Sequence, residues 1–114
     1  MTVLVIVNDA PYGNERPYNA LRLAVQLSRD GVDVRVFLLA DGVFCGLKQQ
    51  QTPEGYYNIE TFLKRLVQTG QVRACGTCMS TRGLSADQLI DGIIPSKLTD
   101  LSAWVQEADK VLTF

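Results

Sequence analysis

An uninterrupted run of β-branched and leucine residues near the start of the chain constrains the fold more than any other feature. Residues 3–7 read Val-Leu-Val-Ile-Val, without the polar residue at every second position that a half-exposed strand carries. A run of this kind is typical of a strand covered on both faces, as in a parallel sheet. Turn-forming residues follow from Asn8 to Gly13, so the strand ends there and a connection begins.

Helical and strand patterns alternate along the rest of the chain. Apolar residues at helical spacing predict a helix from near Pro17 to Gly31 and a second one between Asn58 and Gly70. Capping signals predict further helices after Ser85 and Thr99, and apolar runs predict strands at 34–39, 71–74, 92–95 and 110–114. The order is strand, helix, strand throughout, which predicts a three-layer α/β/α sandwich with a mainly parallel five-stranded sheet. We expect one domain over residues 1–114.

Composition and charge exclude several classes of function. The formal net charge is −1 and the basic residues are scattered, so no electrostatic footprint for nucleic acid or an anionic membrane is present. The apolar runs are too short to span a bilayer, and we expect a cytoplasmic protein whose thiols are kept reduced. Histidine is absent, which excludes Ser-His-Asp and Cys-His catalysis within one chain.

Two of the three cysteines, Cys75 and Cys78, stand at C-x-x-C spacing directly after the third predicted strand. Ligand sites in open parallel sheets lie beyond the carboxyl ends of the strands. The loops at 8–13, 41–51 and 75–78 are predicted to meet there, and the second of them carries Cys45. A predicted helix start, with Arg73 and Arg82 nearby, favours the thiolate form of the paired cysteines.

Spacing alone leaves several interpretations of the C-x-x-C pair open. It is compatible with a thioredoxin-like redox pair, a nucleophilic thiol that carries sulfur as a persulfide, or two small buried thiols. A zinc site needs four ligands, and with only Cys45 in addition a closed site within one chain is disfavoured. The glycine-rich dinucleotide and P-loop motifs are absent, and the first loop lacks a Ser/Thr-rich cradle for a flavin phosphate. We predict neither a cofactor nor a bound metal.

Four segments together carry a family resemblance. They are Asn8-Asp-Ala-Pro-Tyr-Gly13, Ala40-Asp-Gly-Val43, Met79-Ser-Thr-Arg-Gly83 with Cys75 eight positions before its glycine, and the closing Asp109-Lys-Val-Leu-Thr-Phe114. In this order and at these spacings the whole chain resembles the DsrE/DsrF-like family, especially its YchN-like branch. That family is related to the TusD subunit of a tRNA sulfur relay.

The resemblance implies a function and a set of partners. It implies a five-stranded parallel sheet, a homo-oligomer built as a trimer or hexamer, and exchange of sulfur with donor and acceptor proteins. Cys75 matches the position that accepts sulfane sulfur as a persulfide, and we expect Cys78 to act as a resolving or auxiliary thiol. The expected binding residues around them are Tyr12, Asp41, Cys45 and Arg82. Two rival functions stay open: an oligomeric module that binds a small ligand or metal, and a thiol–disulfide oxidoreductase.

Overall fold

Five parallel strands form one sheet in the computed structural model, which describes residues 1–114. The strands are β1 (Thr2–Val7), β2 (Asp33–Leu38), β3 (Gln71–Cys75), β4 (Ile94–Ser96) and β5 (Lys110–Thr113). Their order across the sheet is β4-β3-β2-β1-β5, with β1 and β2 paired along their full length. The interior position of β1, between β2 and β5, explains its uninterrupted apolar sequence, since both of its faces are covered.

Helices cover the two faces of the sheet unequally. The helices are α1 (Arg16–Arg29), α2 (Ile59–Thr69), α3 (Gly76–Ser80) and α4 (Leu98–Glu107). A main core of 21 buried residues lies on the side of α1 and α2, whereas α4 closes a cluster of only four residues. The predicted three-layer α/β/α architecture is therefore confirmed. None of the four α-helices has the length and the apolar sequence that a membrane span requires.

The ends of α1 and α2 follow the signals in the sequence. Pro17 stands in the first turn of α1, and Gly31, just beyond its C-cap, has a φ of +85°. The Asn58 side chain accepts the Glu60 N–H at 2.9 Å and caps α2. Gly70 is the C-cap of α2, and this position requires glycine because a Cβ there would lie 2.3 Å from the Val34 carbonyl oxygen. These boundaries agree with the predicted helices.

The segment after β2 differs from the expected loop. Residues Ala40–Gly46 form a 3₁₀ helix, which packs Val43 and Cys45 into the main core. This compact turn becomes favourable because it buries apolar side chains between α2 and the sheet, a long-range contact that local sequence does not encode.

Two predicted helices near the C-terminus also differ from expectation. The capping box at Ser85 exists, but it closes a single 3₁₀ turn, Ala86–Gln88. Thr99 does not cap α4, because the helix begins one residue earlier at Leu98. The Asp100 carboxylate instead accepts the backbone N–H of Lys97, the true N-cap, at 2.8 Å. The start of α4 is thus stabilised by an acidic residue of the first turn, and Thr99 does not act as its N-cap.

A candidate cysteine site at the carboxyl edge of the sheet

The loops that follow β1, β2 and β3 meet at the carboxyl edge of the sheet, as the topology predicts. The Gly42 N–H donates to the Asn8 carbonyl at 3.1 Å, which joins the 3₁₀ helix to the end of β1. The Ala40 N–H donates to the Cys78 sulfur at 3.3 Å, which joins the same helix to α3. A Cβ at position 42 would lie 2.0 Å from the Val7 carbonyl oxygen, so this contact requires glycine.

Cys75 is both the last residue of β3 and the N-cap of α3. Its Sγ accepts the Cys78 N–H at 3.2 Å. Strand alternation places Cys75 on the same face of the sheet as Arg73, which is the face covered by α4. The side chain is partly exposed and packs against both hydrophobic clusters. Cys75 therefore presents a sulfur at the border between the two layers of the core.

The pKa of the Cys75 thiol shifts in the direction opposite to the one that its place at a helix start predicts. Burial raises the pKa of Cys75, the Cys78 thiol raises it further as a hydrogen-bond partner, and the N–H groups of Cys78 and Thr77 lower it less. The expectation of a favoured thiolate is therefore wrong for the resting protein. A five-residue helix contributes a few N–H donors, and these do not compensate for the lost hydration of the sulfur.

Cys78 lies on α3 and is held from two sides. Its sulfur accepts the Ala40 N–H, and Ala40 has a φ of +53°, an uncommon conformation for a residue other than glycine. Its carbonyl oxygen accepts a bond from the Arg82 guanidinium at 3.0 Å. The Arg82 Nε donates in turn to Asp41 at 2.8 Å. The predicted residues Asp41 and Arg82 thus meet beside Cys78 and fix α3 to the 3₁₀ helix.

Arg73 does not contribute to the cysteine pair as expected. Its guanidinium carbon lies 4.7 Å from the centroid of the Trp104 ring, and it pairs with Asp100 at 3.6 Å. The side chain therefore runs along the α4 face instead of toward the thiols. Arg82 is the arginine that reaches the backbone of the pair, and its charge is shared with Asp41.

Comparison with known proteins identifies the family. A profile of the DsrE/DsrF-like family matches residues 1–114. The chain belongs to the DsrE/DsrF-like family. YchN of Escherichia coli K12 is 44% identical over 115 residues, covering 98% of this chain and 97% of YchN. An uncharacterized protein of Methanocaldococcus jannaschii is 41% identical over 115 residues, covering both chains completely.

Solved structures show the same DsrE/DsrF-like fold. The crystal structure of the Escherichia coli YchN protein matches with a TM-score of 0.94 at 42% identity, covering 100% of this chain and 99% of that one. A protein of unknown function from Methanobacterium thermoautotrophicum has a TM-score of 0.77 at 16% identity, covering 99% and 98% of the two chains. The second similarity concerns the fold alone.

The third cysteine of this DsrE/DsrF-like chain lies in the main core. Cys45 is fully buried, and its thiol donates to the Asp9 carbonyl at 3.5 Å. Burial, followed by the charge of Asp9, raises the pKa of Cys45 to about 12. Its hydrogen bond goes to the first loop and not to Cys75 or Cys78. The structure therefore gives Cys45 a packing position, without the exposed thiol that a binding residue at this site would need.

Tyr12 ties the first loop to α2 instead of lining the cysteine pair. Its hydroxyl accepts the Ile59 N–H at 3.1 Å and donates to the side chain of Gln50. Burial raises the pKa of Tyr12, and its φ of 71° shows that the loop holds it in an unusual conformation. The ring stacks on Tyr57 at 5.6 Å. Tyr12 thus serves the scaffold behind the site.

A cleft beside α2 also lies away from the thiols. It measures about 630 Å³ and lies between Gln49–Gln51 and α2, where the Glu60 and Lys64 side chains line it. Neither Cys75 nor Cys78 lines this cleft.

The sequence did not reveal that the Ala40 N–H belongs to the cysteine site, because an alanine does not indicate a positive φ. The turn-forming pair Asp41-Gly42 indicated that the chain bends after β2, but not that the Ala40 N–H reaches the Cys78 sulfur.

Proposed function

We propose that this protein carries sulfane sulfur as a persulfide on Cys75 and passes it to a partner protein. The observation that carries the proposal is the position of Cys75: it is partly exposed at the carboxyl edge of the sheet, and its sulfur accepts the backbone N–H of a second cysteine, Cys78. The DsrE/DsrF-like family is associated with sulfur relay, which supports the same chemistry. Cys45 is buried and cannot exchange sulfur with a partner without unfolding.

The transfer needs two displacements at sulfur and no histidine. In loading, the Cys75 thiolate attacks the outer sulfur of a donor persulfide, and the donor leaves as a thiolate. In delivery, an acceptor thiolate attacks the outer sulfur on Cys75, and the Cys75 thiolate leaves. Because the pKa of Cys75 is raised, loading is slow at neutral pH until the thiol loses its proton. A donor that brings a positive charge to this edge would accelerate it.

The other expected binding residues act on the position of the thiols. Asp41 and Arg82 hold the backbone of Cys78, and both reach the surface beside the pair. Donor and acceptor proteins would meet these two charged groups at the rim of the site. Tyr12 and Cys45 support the loops from within. The proposal includes a cytoplasmic location, since a free thiol carrier needs a compartment that keeps thiols reduced.

We also propose that the protein is a homo-oligomer, as a trimer or a hexamer. α4 covers only part of its face of the sheet, and large apolar side chains stay exposed there. Ile94 on β4 is 56% exposed and Leu98 at the start of α4 is 74% exposed. Val111 on β5 adds a third exposed apolar residue on the same face. A second copy that covers this face would remove them from water.

Intact-mass spectrometry after incubation with a small-molecule persulfide tests the carrier proposal. We expect the parent to gain one sulfur atom that a reductant removes, and Cys75→Ser to gain none. Cys78→Ser should still load, and Cys45→Ala is the matched control, since it removes a thiol that lies in the core. Equal loading of the parent and Cys75→Ser would refute the proposal.

A thiol–disulfide oxidoreductase is the second candidate, because the Cys75 sulfur accepts the backbone N–H of Cys78 at 3.2 Å and the two free cysteines are therefore neighbours. It predicts loss of two hydrogens on mild oxidation with no sulfur gain in any variant. No group of three or more potential ligands is clustered for a metal ion, so no observation favours the metal-binding alternative.

A further inference from the structure

The contact between the Cys75 sulfur and the backbone of Cys78 indicates a further activity. We propose that Cys78 resolves the Cys75 persulfide by releasing hydrosulfide and forming a Cys75–Cys78 disulfide, which a dithiol reductant then reopens. This inference rests on the proposed carrier function and adds a second fate for the loaded sulfur. The carrier would deliver its sulfur when an acceptor is docked and release it as hydrosulfide when none is.

The positions of the two sulfurs carry the inference. The Cys75 sulfur lies over the backbone of Cys78, whose N–H it accepts at 3.2 Å. Both side chains are partly exposed and pack against the main core. Residues three apart at a helix start are neighbours, with Cβ atoms about 5–6 Å apart in a regular helix. Their Cα atoms are about 5 Å apart in a regular helix, within the range of about 4.4–6.8 Å that a disulfide needs. The Cβ atoms must approach to about 3.5–4.5 Å, so a local shift of about 1–2 Å in this short helix joins the two sulfurs.

A contact from outside α3 fixes the Cys78 sulfur beside its neighbour. The Ala40 N–H that it accepts comes from the 3₁₀ helix and not from the turn that contains the pair. Two further contacts hold this donor in place: Gly42 fits against the Val7 carbonyl, and Asp41 is bonded to Arg82. A fixed neighbour competes well with a thiol that must diffuse in, because the reaction becomes intramolecular.

The electrons and atoms balance in this step. A lone pair of the Cys78 thiolate attacks the Cys75 Sγ, and the new Sγ–Sγ bond forms as the bond from Cys75 Sγ to the outer sulfur breaks. The bonding pair leaves with the outer sulfur as hydrosulfide, and the Cys78 proton goes to solvent. Both cysteines are oxidised to the disulfide while the sulfane sulfur is reduced to sulfide. One equivalent of a dithiol reductant restores both thiols.

Cys78 is chosen over Cys45 as the attacking group for a structural reason. Cys45 is fully buried in the main core, and its thiol is bonded to the Asp9 carbonyl. Cys78 is partly exposed, like Cys75, so hydrosulfide formed between them has a path to water. Cys75 lies on the α4 face of the sheet and Cys78 lies on α3. The outer sulfur that departs is therefore at the surface of the carboxyl edge.

The experiment follows a single turnover without oxygen. The protein is loaded with a small-molecule persulfide, separated rapidly from the excess donor, and monitored for hydrosulfide by a colorimetric assay and for intact mass. We expect the parent to lose the added sulfur and two hydrogens while one equivalent of hydrosulfide per chain appears. Cys78→Ser and Cys78→Ala should keep the added sulfur, with release at least about tenfold slower because the intramolecular attack is lost.

The controls separate the two proposals. Cys45→Ala should release hydrosulfide like the parent. The unloaded parent, treated in the same way, should form no disulfide and no hydrosulfide. A parent that keeps its added sulfur as long as Cys78→Ser does would overturn this inference and leave the carrier function intact. A parent that neither gains sulfur nor forms the disulfide with release of hydrosulfide would overturn both.

Discussion

Replacing Gly42 with alanine should destabilise the fold strongly, because this residue forms the joint at which the backbone of the 3₁₀ helix packs against the end of β1. The new Cβ would lie 2.0 Å from the Val7 carbonyl oxygen and 2.8 Å from its carbonyl carbon. Cβ atoms in real structures keep at least 3.0 Å from other heavy atoms, so the two backbones must separate by about 1 Å. Both sides of the contact are backbone, and no flexible side chain can absorb the shift.

The expected magnitude follows from the bonds that this separation breaks. The Gly42 N–H bond to the Asn8 carbonyl, 3.1 Å long, and the Leu39 N–H bond to the Val7 carbonyl, 2.9 Å long, both cross the joint. Each is worth about 1 kcal/mol net. Overpacking itself costs about 1–3 kcal/mol. Gly42→Ala should therefore lower the free energy of unfolding by about 3–5 kcal/mol, a large share of the roughly 5–15 kcal/mol typical of a domain.

Urea denaturation followed by circular dichroism measures this difference, with Gly13→Ala as the matched control. A Cβ at Gly13 would meet no atom within 4 Å, and Gly13 does not have a positive φ. Gly13→Ala should thus change stability by no more than about 1 kcal/mol, with a slight gain because alanine restricts the unfolded chain. In melting temperature, Gly42→Ala should lose about 10–20 °C. A Gly42→Ala protein as stable as Gly13→Ala would refute the reasoning about this joint.

Three further predictions follow from the thiols, the helix caps and one buried carboxylate. Because the pKa of Cys75 is raised, its alkylation by iodoacetamide at pH 7 should be slower than that of free cysteine and should accelerate at higher pH; Cys45 should stay unmodified until the protein unfolds. A Cys75 rate equal to that of free cysteine at neutral pH would contradict this. Asn58→Ala should cost about 1 kcal/mol in urea denaturation, whereas Thr99→Ala should stay within about 0.5 kcal/mol, since Thr99 is not a cap; equal losses would mean that the caps are wrongly assigned. Burial raises the pKa of Glu60, but bonds from the Gln50 N–H and Lys64 lower it more, so its net pKa lies below 4.5. The carboxylate therefore stabilises the fold above its unfolded pKa and loses this contribution as the pH falls through the lowered native value. Glu60→Gln should cost about 1–2 kcal/mol at pH 7 and much less in acid, and a loss independent of pH would exclude the charge as its cause.

The sheet and the location of the cysteines could be predicted because they depend on patterns that repeat locally. The apolar run in β1 requires cover on both faces, and the alternation of strand and helix patterns then leaves little choice of topology. Once the strands are parallel, Cys75 at the end of β3 must lie at the same edge as the loops after β1 and β2. This inference needed no knowledge of how any side chain packs.

The details of the site depend on contacts between distant segments, and these are not visible in local sequence. Cys45 was expected at the site because its loop leads there, but the loop coils into a 3₁₀ helix that turns the thiol into the core. The acidity of Cys75 was expected to rise with the nearby N–H donors, but burial outweighs them. The donor to Cys78 comes from Ala40, whose backbone conformation is imposed by its neighbours.

Trp104 is an intrinsic fluorescent probe of one face of the sheet. It is the only tryptophan, and it lies in the four-residue cluster under α4, edge-on to Phe37 with ring centroids 6.2 Å apart. Cys75 packs against this same cluster, whereas most of the apolar interior lies on the opposite face of the sheet. Intrinsic fluorescence therefore observes the thin layer that borders Cys75. We expect a sulfur atom added to Cys75 to change this fluorescence, so that loading is followed without a label.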